Sequence, residues 1–173
     1  SKRHDASYDD SAGRFSGAYV KDPKPGRYEW VYDLDLTSMY PSTIMSLNIS
    51  PETKLGKLAG WDAEEFIKGE QKTYSFYQGK EKLRTFSTGE LKDFFNKHEV
   101  SVASNGVVYK TSQRGIIPAI LEKWFNERVE YKGLSKKYGK EGNDELHGYF
   151  DRRQYVQKIL LNSFYGVLGL TVF

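Results

Sequence analysis

The sequence predicts an α+β fold in which a small, mostly antiparallel sheet precedes two long antiparallel helices. Residues 27–36 alternate apolar and polar side chains, the pattern of a strand with one buried face. Residues 115–173 contain two helical segments of about 22 residues each, separated by glycines. Between these regions, turn residues bound several short β-rich segments. Strands followed by helices, without regular alternation, indicate this class.

The composition narrows the classes of function. The 173 residues include 26 Lys+Arg, 23 Asp+Glu and no Cys, for a formal net charge of +3. The lack of cysteine excludes a disulfide scaffold, a cysteine-rich zinc module and a cysteine nucleophile. No apolar run approaches the roughly 20 residues that span a bilayer, and the polar N-terminus does not resemble a signal peptide. We therefore expect a cytoplasmic protein without a membrane partner.

The positive charge is concentrated in the last third of the chain. Residues 114–173 hold 10 basic and 7 acidic side chains, whereas residues 1–113 balance to zero. Residues 131–140 alone carry four lysines and no acid. A short basic run is commonly the solvated end of a helix. The alternative is a surface that faces phosphate groups.

A strand and a short helix are expected first along the chain. The strand over 27–36 has an apolar face made of Tyr28, Trp30, Tyr32, Leu34 and Leu36. Thr37 and Ser38 end it. Residues 39–47 predict a helix, since Pro41 is tolerated in a first turn.

Residues 54–113 give weaker signals. A short helix over 61–69 is entered through Asp62, and residues 91–97 predict a helical turn or two. Residues 72–76 and 99–110 predict strands, the latter with a turn at Asn105-Gly106.

The C-terminal part predicts a helical hairpin. Pro118 suits a first turn, and apolar residues three and four apart continue this helix to about residue 138. A glycine-rich break over 139–143 precedes a second helix over about 144–165. The two helices are therefore antiparallel, with the basic run at the tip of the hairpin.

Asp35 is the first candidate functional residue because it ends the predicted strand. The strand holds the carboxylate rigidly, and the N–H groups that begin the following helix point outward, where they can bind phosphate. Mg²⁺ prefers hard oxygen ligands of this kind. An Asp at a strand end is also a common helix cap or turn residue.

Each helix of the hairpin presents a polar row. Arg128 and Lys132 lie four residues apart on the first helix, and Lys158, Asn162 and Tyr165 share one face of the second. Arginine and lysine are the side chains that neutralise phosphates. Taken singly, Arg128 could instead pair with a neighbouring glutamate, and Lys158 could be a solvated side chain.

Together these segments resemble the family B DNA-directed DNA polymerases. Asp35-Leu-Thr-Ser-Met-Tyr-Pro-Ser42 is similar to motif A of that family, and Lys158-Ile-Leu-Leu-Asn-Ser-Phe-Tyr-Gly166 is similar to motif B. Gly115-Ile-Ile-Pro118 resembles the start of its fingers domain. Asn48-Ile-Ser-Pro-Glu-Thr53 resembles the replicative polymerases of tailed bacteriophages. The motifs follow the family's order.

The resemblance implies a two-metal site for nucleotidyl transfer. Asp35 would ligate two Mg²⁺ ions, assisted by the Leu36 carbonyl oxygen. The triphosphate of the incoming dNTP would be held by the backbone N–H groups of Thr37, Ser38, Met39 and Tyr40.

The resemblance also implies that the hairpin binds the nucleotide. Arg128 and Lys158 would act in catalysis by binding charged phosphate oxygens, with Lys132 and Asn162 assisting.

Three residues would recognise the rest of the substrate. The Tyr40 ring would lie under the sugar and leave no room for a 2′-hydroxyl. Tyr165 would pack near the nascent base pair, so that Tyr165 and Gly166 contact the primer–template DNA.

The resemblance divides the chain into two parts. Residues 1–114 would be a partial palm with the strand 27–36, the helix 39–47 and an insertion-like segment 54–113, and residues 115–173 would be fingers that end in motif B. Motif C, which supplies another metal-binding carboxylate in the family, has no match in the sequence. We therefore expect a fragment or split subunit, inactive alone. Its partners would be dNTP, primer–template DNA and a second polypeptide or missing segment with motif C, the remaining palm and the thumb.

Alternative interpretations use the same residues differently. A non-catalytic nucleotide- or nucleic-acid-binding module would bind phosphates through Arg128, Lys132 and Lys158 without turnover. A structural protein would use the hairpin against a partner helix, although packing alone does not require Asp35 and Tyr40. Exposed palm surface would favour self-association. A phage-derived chain would work in the cytoplasm of its bacterial host.

Overall fold

A computed structural model describes residues 20–168, except for the side chains of Tyr165, Val167 and Leu168. The helices are α1 (Met39–Leu47), α2 (Ala63–Lys68), α3 (Thr88–Lys97), α4 (Ile116–Lys140) and α5 (Asp144–Leu168). The strands are β1 (Lys54–Ala59), β2 (Thr73–Gln78), β3 (Glu81–Ser87), β4 (Val100–Val102) and β5 (Val107–Lys110). A 3₁₀ turn, Pro51–Thr53, leads into β1.

The five strands form one antiparallel sheet in the order β3-β2-β1-β5-β4. The predicted α+β class, with an antiparallel sheet and a long helical hairpin, is therefore confirmed. The sheet is built from residues 54–110, where the sequence signal is weakest.

Residues 27–36 do not form a strand, so this prediction is wrong. Trp30 takes a left-handed backbone conformation with φ of 58°, which interrupts an extended segment. Leu34 is 95% exposed, as expected of a segment outside any core. Alternation specifies which side chains share a face, but a strand also needs a neighbouring strand for its hydrogen bonds. No strand within residues 20–168 pairs with this segment.

One face of the sheet is covered by α2 and α3. The buried centre of this core consists of Leu58, Tyr74, Phe86, Leu91 and Val108. Aromatic side chains from both helices surround it, and Tyr74, Leu91 and Val108 have no exposed surface. Complete burial of a large side chain stabilises a fold by about 1.5–3 kcal/mol relative to exposure, so this cluster holds the sheet and its helices together.

Side-chain caps fix where α2 and α3 begin. The Asp62 carboxylate accepts bonds from the N–H groups of Glu64 and Glu65 at 2.9 and 3.0 Å. Ser87 and Glu90 form a reciprocal capping box at the start of α3. The predicted helix entered through Asp62 and the helical turns near residue 91 are both confirmed.

The helix α1 packs against both helices of the hairpin. Ile44 of α1, Leu121 of α4 and Leu161 of α5 form the buried centre of a second core. The bounds of α1 match the prediction, and α4 and α5 extend a few residues beyond theirs. None of the helices in the described part of the chain is long and apolar enough to cross a membrane.

Candidate functional site

The turn before α1 is the first part of the candidate site. Ser38 takes a left-handed conformation with φ of 50° and its side chain does not cap α1. Ser42 instead closes the turn, since its hydroxyl donates to the Thr37 carbonyl at 3.0 Å and its N–H donates to the Ser38 carbonyl at 2.9 Å. The first turn of α1 contains no acidic residue. This helix end therefore keeps its positive dipole end available for an anion.

Arg128 of α4 lies beside this turn. Its Nη1 lies 3.5 Å from the Ser38 hydroxyl oxygen. Its Nε is buried and has no hydrogen-bond partner among the described residues. A buried donor without a partner is uncommon in native proteins, and an anionic oxygen is the acceptor that best suits a guanidinium. Arg128 and the start of α1 thus form one positively polarised corner.

The neighbours of Arg128 do not neutralise it. Glu127 points across the hairpin, where its carboxylate accepts a hydrogen bond from the Gln157 amide. No ion pair among residues 20–168 includes Arg128. The alternative in which Arg128 pairs with an adjacent glutamate is therefore wrong.

The other predicted cations and amide lie on the surface of the hairpin. Lys132, Lys158 and Asn162 are exposed, and Leu161 beside Asn162 is buried in the second core. Within the described residues, no hydrogen bond or ion pair joins these three to the corner at Arg128. The Tyr165 side chain lies outside the described residues.

Asp35 and Leu36 lie in the exposed segment before α1, and Leu36 is 69% exposed. Within residues 20–168 no three carboxylate or imidazole side chains come together as a metal site. The Asp35 carboxylate and the Leu36 carbonyl are oxygen donors of the kind that suit Mg²⁺. They fit part of an octahedral shell, and the remaining ligands would have to come from other groups.

Asn48 ties the candidate site to the sheet, a role that the sequence did not predict. It is 2% exposed and ends α1 in a left-handed conformation. Its Nδ2 donates to the carbonyl oxygens of Lys110 and Gln113 at 2.7 and 2.8 Å, and its Oδ1 accepts from the Gly115 N–H at 2.9 Å. One side chain thus joins the end of α1, the end of β5 and the start of α4. An asparagine directly after an apolar helix is the signal that could have indicated the left-handed cap.

Glu52 caps the hairpin from the same segment. One carboxylate oxygen accepts the Ile116 N–H at 2.6 Å, and the other accepts the Ser50 hydroxyl at 2.7 Å. These bonds, the backbone one foremost, hold the pKa of Glu52 below its ordinary value of 4.5. The negative charge also suits the N-terminus of α4.

Replacing Glu52 with Gln is expected to make folding stability less dependent on acidic pH. The carboxylate stabilises the fold fully above 4.5, its ordinary pKa, and this stabilisation is lost as the pH falls through the lowered pKa of the folded state. Urea unfolding at neutral pH and at several acidic pH values measures the difference. Glu130→Gln, which removes an exposed carboxylate of α4, is the control. Identical acid profiles for the two variants would contradict the capping role.

Comparison with known proteins adds the family context. A family model described as DNA polymerase family B matches residues 2–172. The DNA-directed DNA polymerase of Escherichia phage RB69 is 34% identical over 125 residues, which cover 69% of this chain and 11% of that protein. That of Enterobacteria phage T4 is 34% identical over 131 residues, 76% of this chain and 12% of that protein. DNA polymerase 1 of Pyrococcus abyssi is 30% identical over 156 residues, 90% of this chain and 15% of that protein. The chain thus corresponds to a small part of each relative.

Proposed function

The chain belongs to DNA polymerase family B, and from this premise we propose that it forms the nucleotide-binding part of a DNA-directed DNA polymerase. In this proposal it binds the incoming dNTP and primer–template DNA and contributes to Mg²⁺-dependent nucleotidyl transfer. The motif C carboxylate is supplied by another segment or polypeptide.

The observation that carries the proposal is the contact between Arg128 and Ser38. It brings the hairpin and the motif A turn together across 90 residues of sequence. The buried, unpartnered Nε of Arg128 and the uncapped start of α1 both favour an anionic ligand. A triphosphate satisfies both, with the N–H groups of residues 37–40 holding one side and the guanidinium the other.

Asp35 and Leu36 precede this corner and supply oxygen donors for Mg²⁺. When bound, Mg²⁺ would lower the charge on the attacking and leaving oxygens of an in-line displacement. A second carboxylate from motif C completes the shell in this proposal. Asp35 would therefore act as a ligand, and it would take its catalytic position when the part of the enzyme that carries motif C packs against segment 27–36.

The exposed hairpin residues complete the nucleotide site. We assign Lys158 to the charged phosphate oxygens, assisted by Lys132 and Asn162. Their exposure leaves them accessible to a ligand. Tyr40 takes the position under the sugar. Tyr165 and Gly166 contact the primer–template.

The exposed segment 27–36 is the docking edge for the remainder of the enzyme. Three of its large apolar side chains, Trp30, Tyr32 and Leu34, are more than four-fifths exposed, and no strand within residues 20–168 pairs with the segment. Exposed apolar surface commonly marks an interaction site. The rest of the palm covers it in the complete polymerase, and self-association covers it when that part is absent. In this proposal the polymerase acts in the cytoplasm, which is that of the bacterial host if the chain is phage-derived.

Arg128→Ala is expected to weaken binding of dATP with Mg²⁺ by about ten- to a hundredfold, since a hydrogen bond to a charged group contributes about 1.5–3 kcal/mol. Isothermal titration calorimetry on the chain measures the dissociation constant. Lys123→Ala removes an exposed cation from the same helix and is expected to bind as the parent does. Equal affinities for the parent and Arg128→Ala would contradict the proposed site.

A non-catalytic binding module is a second candidate because Asp35 lies in a segment that no strand within residues 20–168 pairs with. This module binds nucleotide through the same Arg128 corner. It differs in showing no turnover in any mixture that contains motif C.

A further inference from the structure

The sheet has a second face, opposite α2 and α3. Those helices pack against the side that carries Leu58 and Tyr74. Side chains alternate between the two faces along a strand. Lys57, which adjoins Leu58 in β1, and Tyr77, which lies three residues after Tyr74 in β2, therefore point to the opposite face. The end of α1 reaches this side at β4. Over β1, β2 and β3 no helix within residues 20–168 covers it, and we call this part the open face.

A lysine–tyrosine–lysine row crosses the open face. The strand register places Tyr77 of β2 opposite Lys57 of β1. An irregularity in the pairing of β2 with β3, between Phe76 and Tyr77, skips Leu83 and places Lys82 of β3 opposite Tyr77 on its other side. Directly opposite residues have Cβ atoms about 5 Å apart, so the three side chains are neighbours. Both lysines are exposed and Tyr77 is half-buried. The row thus presents an anchored phenol ring with an ammonium group on each side.

The strands carry an excess of positive charge. Of these cations, Arg84 lies on the helix-covered side over the Phe86 ring, whereas Lys57 and Lys82 lie on the open face. The five strands contain one acidic residue, Glu81, against four lysines and one arginine. Glu81 adjoins Lys82 and therefore points toward the helix-covered side. The other acids of this region lie in helices and loops, where Glu65 pairs with Lys72 and Glu90 with Arg84. The neutral total for residues 1–113 conceals an open face that is cationic.

We propose that the open face binds single-stranded nucleic acid, with a base stacked on Tyr77 and phosphates bound by Lys57 and Lys82. This contact is additional to the nucleotide site at Arg128 and does not depend on it. Lysine on both sides of an aromatic ring matches a strand in which phosphates flank each base. An aromatic ring on an open antiparallel sheet is a recurring platform for bases.

The chemistry favours a single strand over a duplex. Paired bases are stacked within a helix and cannot lie on a tyrosine ring, whereas unpaired bases can. A phosphate-only surface would bind both forms through charge alone. The Tyr77 ring therefore distinguishes the two modes of binding.

Fluorescence anisotropy of labelled oligo(dT) with the chain tests the proposal. Tyr77→Leu should weaken binding about tenfold, and Tyr77→Phe, which keeps the ring, should bind nearly as the parent does. Lys57→Ala and Lys82→Ala should each weaken binding about fivefold and reduce the slope of log K against log salt by about 0.7. Lys92→Ala, on the helix-covered side, is the matched control and should change neither quantity.

Three results would overturn the proposal. Unchanged affinity of Tyr77→Leu for oligo(dT) would contradict the stacking contact. Equal affinity of the parent chain for oligo(dT) and for a duplex of the same length would contradict the preference for a single strand. Binding that is lost in Arg128→Ala but retained in the open-face variants places the oligonucleotide at the hairpin instead.

The same experiment separates this inference from the proposed function. The open-face variants should keep the parent affinity for dATP with Mg²⁺. If neither the parent chain nor any variant binds dATP with Mg²⁺, the proposed function fails. If Tyr77→Leu nevertheless weakens binding of oligo(dT), the open-face site stands. The circular dichroism spectrum of each variant should match that of the parent chain. A match excludes unfolding as the cause of lost binding.

Discussion

Asp35→Asn is expected to abolish primer extension in the assembly that supplies motif C, with a loss of about a thousandfold or more. Asparagine has the shape of aspartate but lacks the charge that a divalent metal ligand needs. The variant removes the one carboxylate that the chain offers at the start of motif A. Extension of a labelled primer with dNTPs and Mg²⁺ measures the rate.

Asp33→Asn is the matched control for this result. It removes the same charge two residues earlier, in the same exposed segment. We expect it to retain most activity because Asp33 is not assigned to the metal. Extension that survives Asp35→Asn would remove Asp35 from the catalytic site, and loss in both variants would point to folding or docking of the segment.

Lys158→Ala is expected to lower the rate constant for nucleotide addition by about a hundred- to a thousandfold, as the loss of one preorganised electrostatic contact does. Lys158 is exposed on α5, so truncation should leave the buried core intact. A contact made mainly in the transition state lowers kcat with little change in KM. Single-nucleotide incorporation at varied dNTP concentration separates the two.

Two further variants make the Lys158 result specific. Lys158→Arg keeps the charge and should recover part of the rate, although its planar guanidinium does not reproduce the ammonium geometry. Arg152→Ala removes an exposed cation from the same helix and should have little effect. Equal losses for Arg152→Ala and Lys158→Ala would indicate a general effect of charge.

The helices could be predicted from sequence because their signals are local. Residues 39–47 and both helices of the hairpin carry apolar side chains at helical spacing, and these face one shared core. The strand over 27–36 failed for the opposite reason. Its alternation is real, but strand formation depends on a partner strand that residues 20–168 do not provide.

Two strands of the sheet could not be read from their own residues. β1 contains two lysines and Gly56, and β3 is exposed along most of its length. A Cβ at Gly56 would lie 2.4 Å from the Tyr77 carbonyl oxygen, so the glycine reflects close packing between strands. These are tertiary constraints, and propensity does not report them.

The candidate site shows the same division. Arg128, Ser38 and Asp35 carry chemistry that sequence patterns reveal. The contact between Arg128 and Ser38 depends on packing of α1 against α4, and the Asn48 bonds that set this packing link residues more than 60 positions apart. Residue types thus predict a class of ligand, which stays a prediction, whereas the geometry of the corner depends on long-range hydrogen bonds.

Reconstitution of primer extension tests the central claim most directly. The chain, a polypeptide carrying motif C with the remaining palm and thumb, and a mixture of the two are each incubated with primed template, dNTPs and Mg²⁺. We predict extension in the mixture and none with either component alone. Absence of extension in the mixture, with dATP binding intact, would contradict the catalytic role and favour the non-catalytic module. Extension by the chain alone would contradict the requirement for a second carboxylate from motif C.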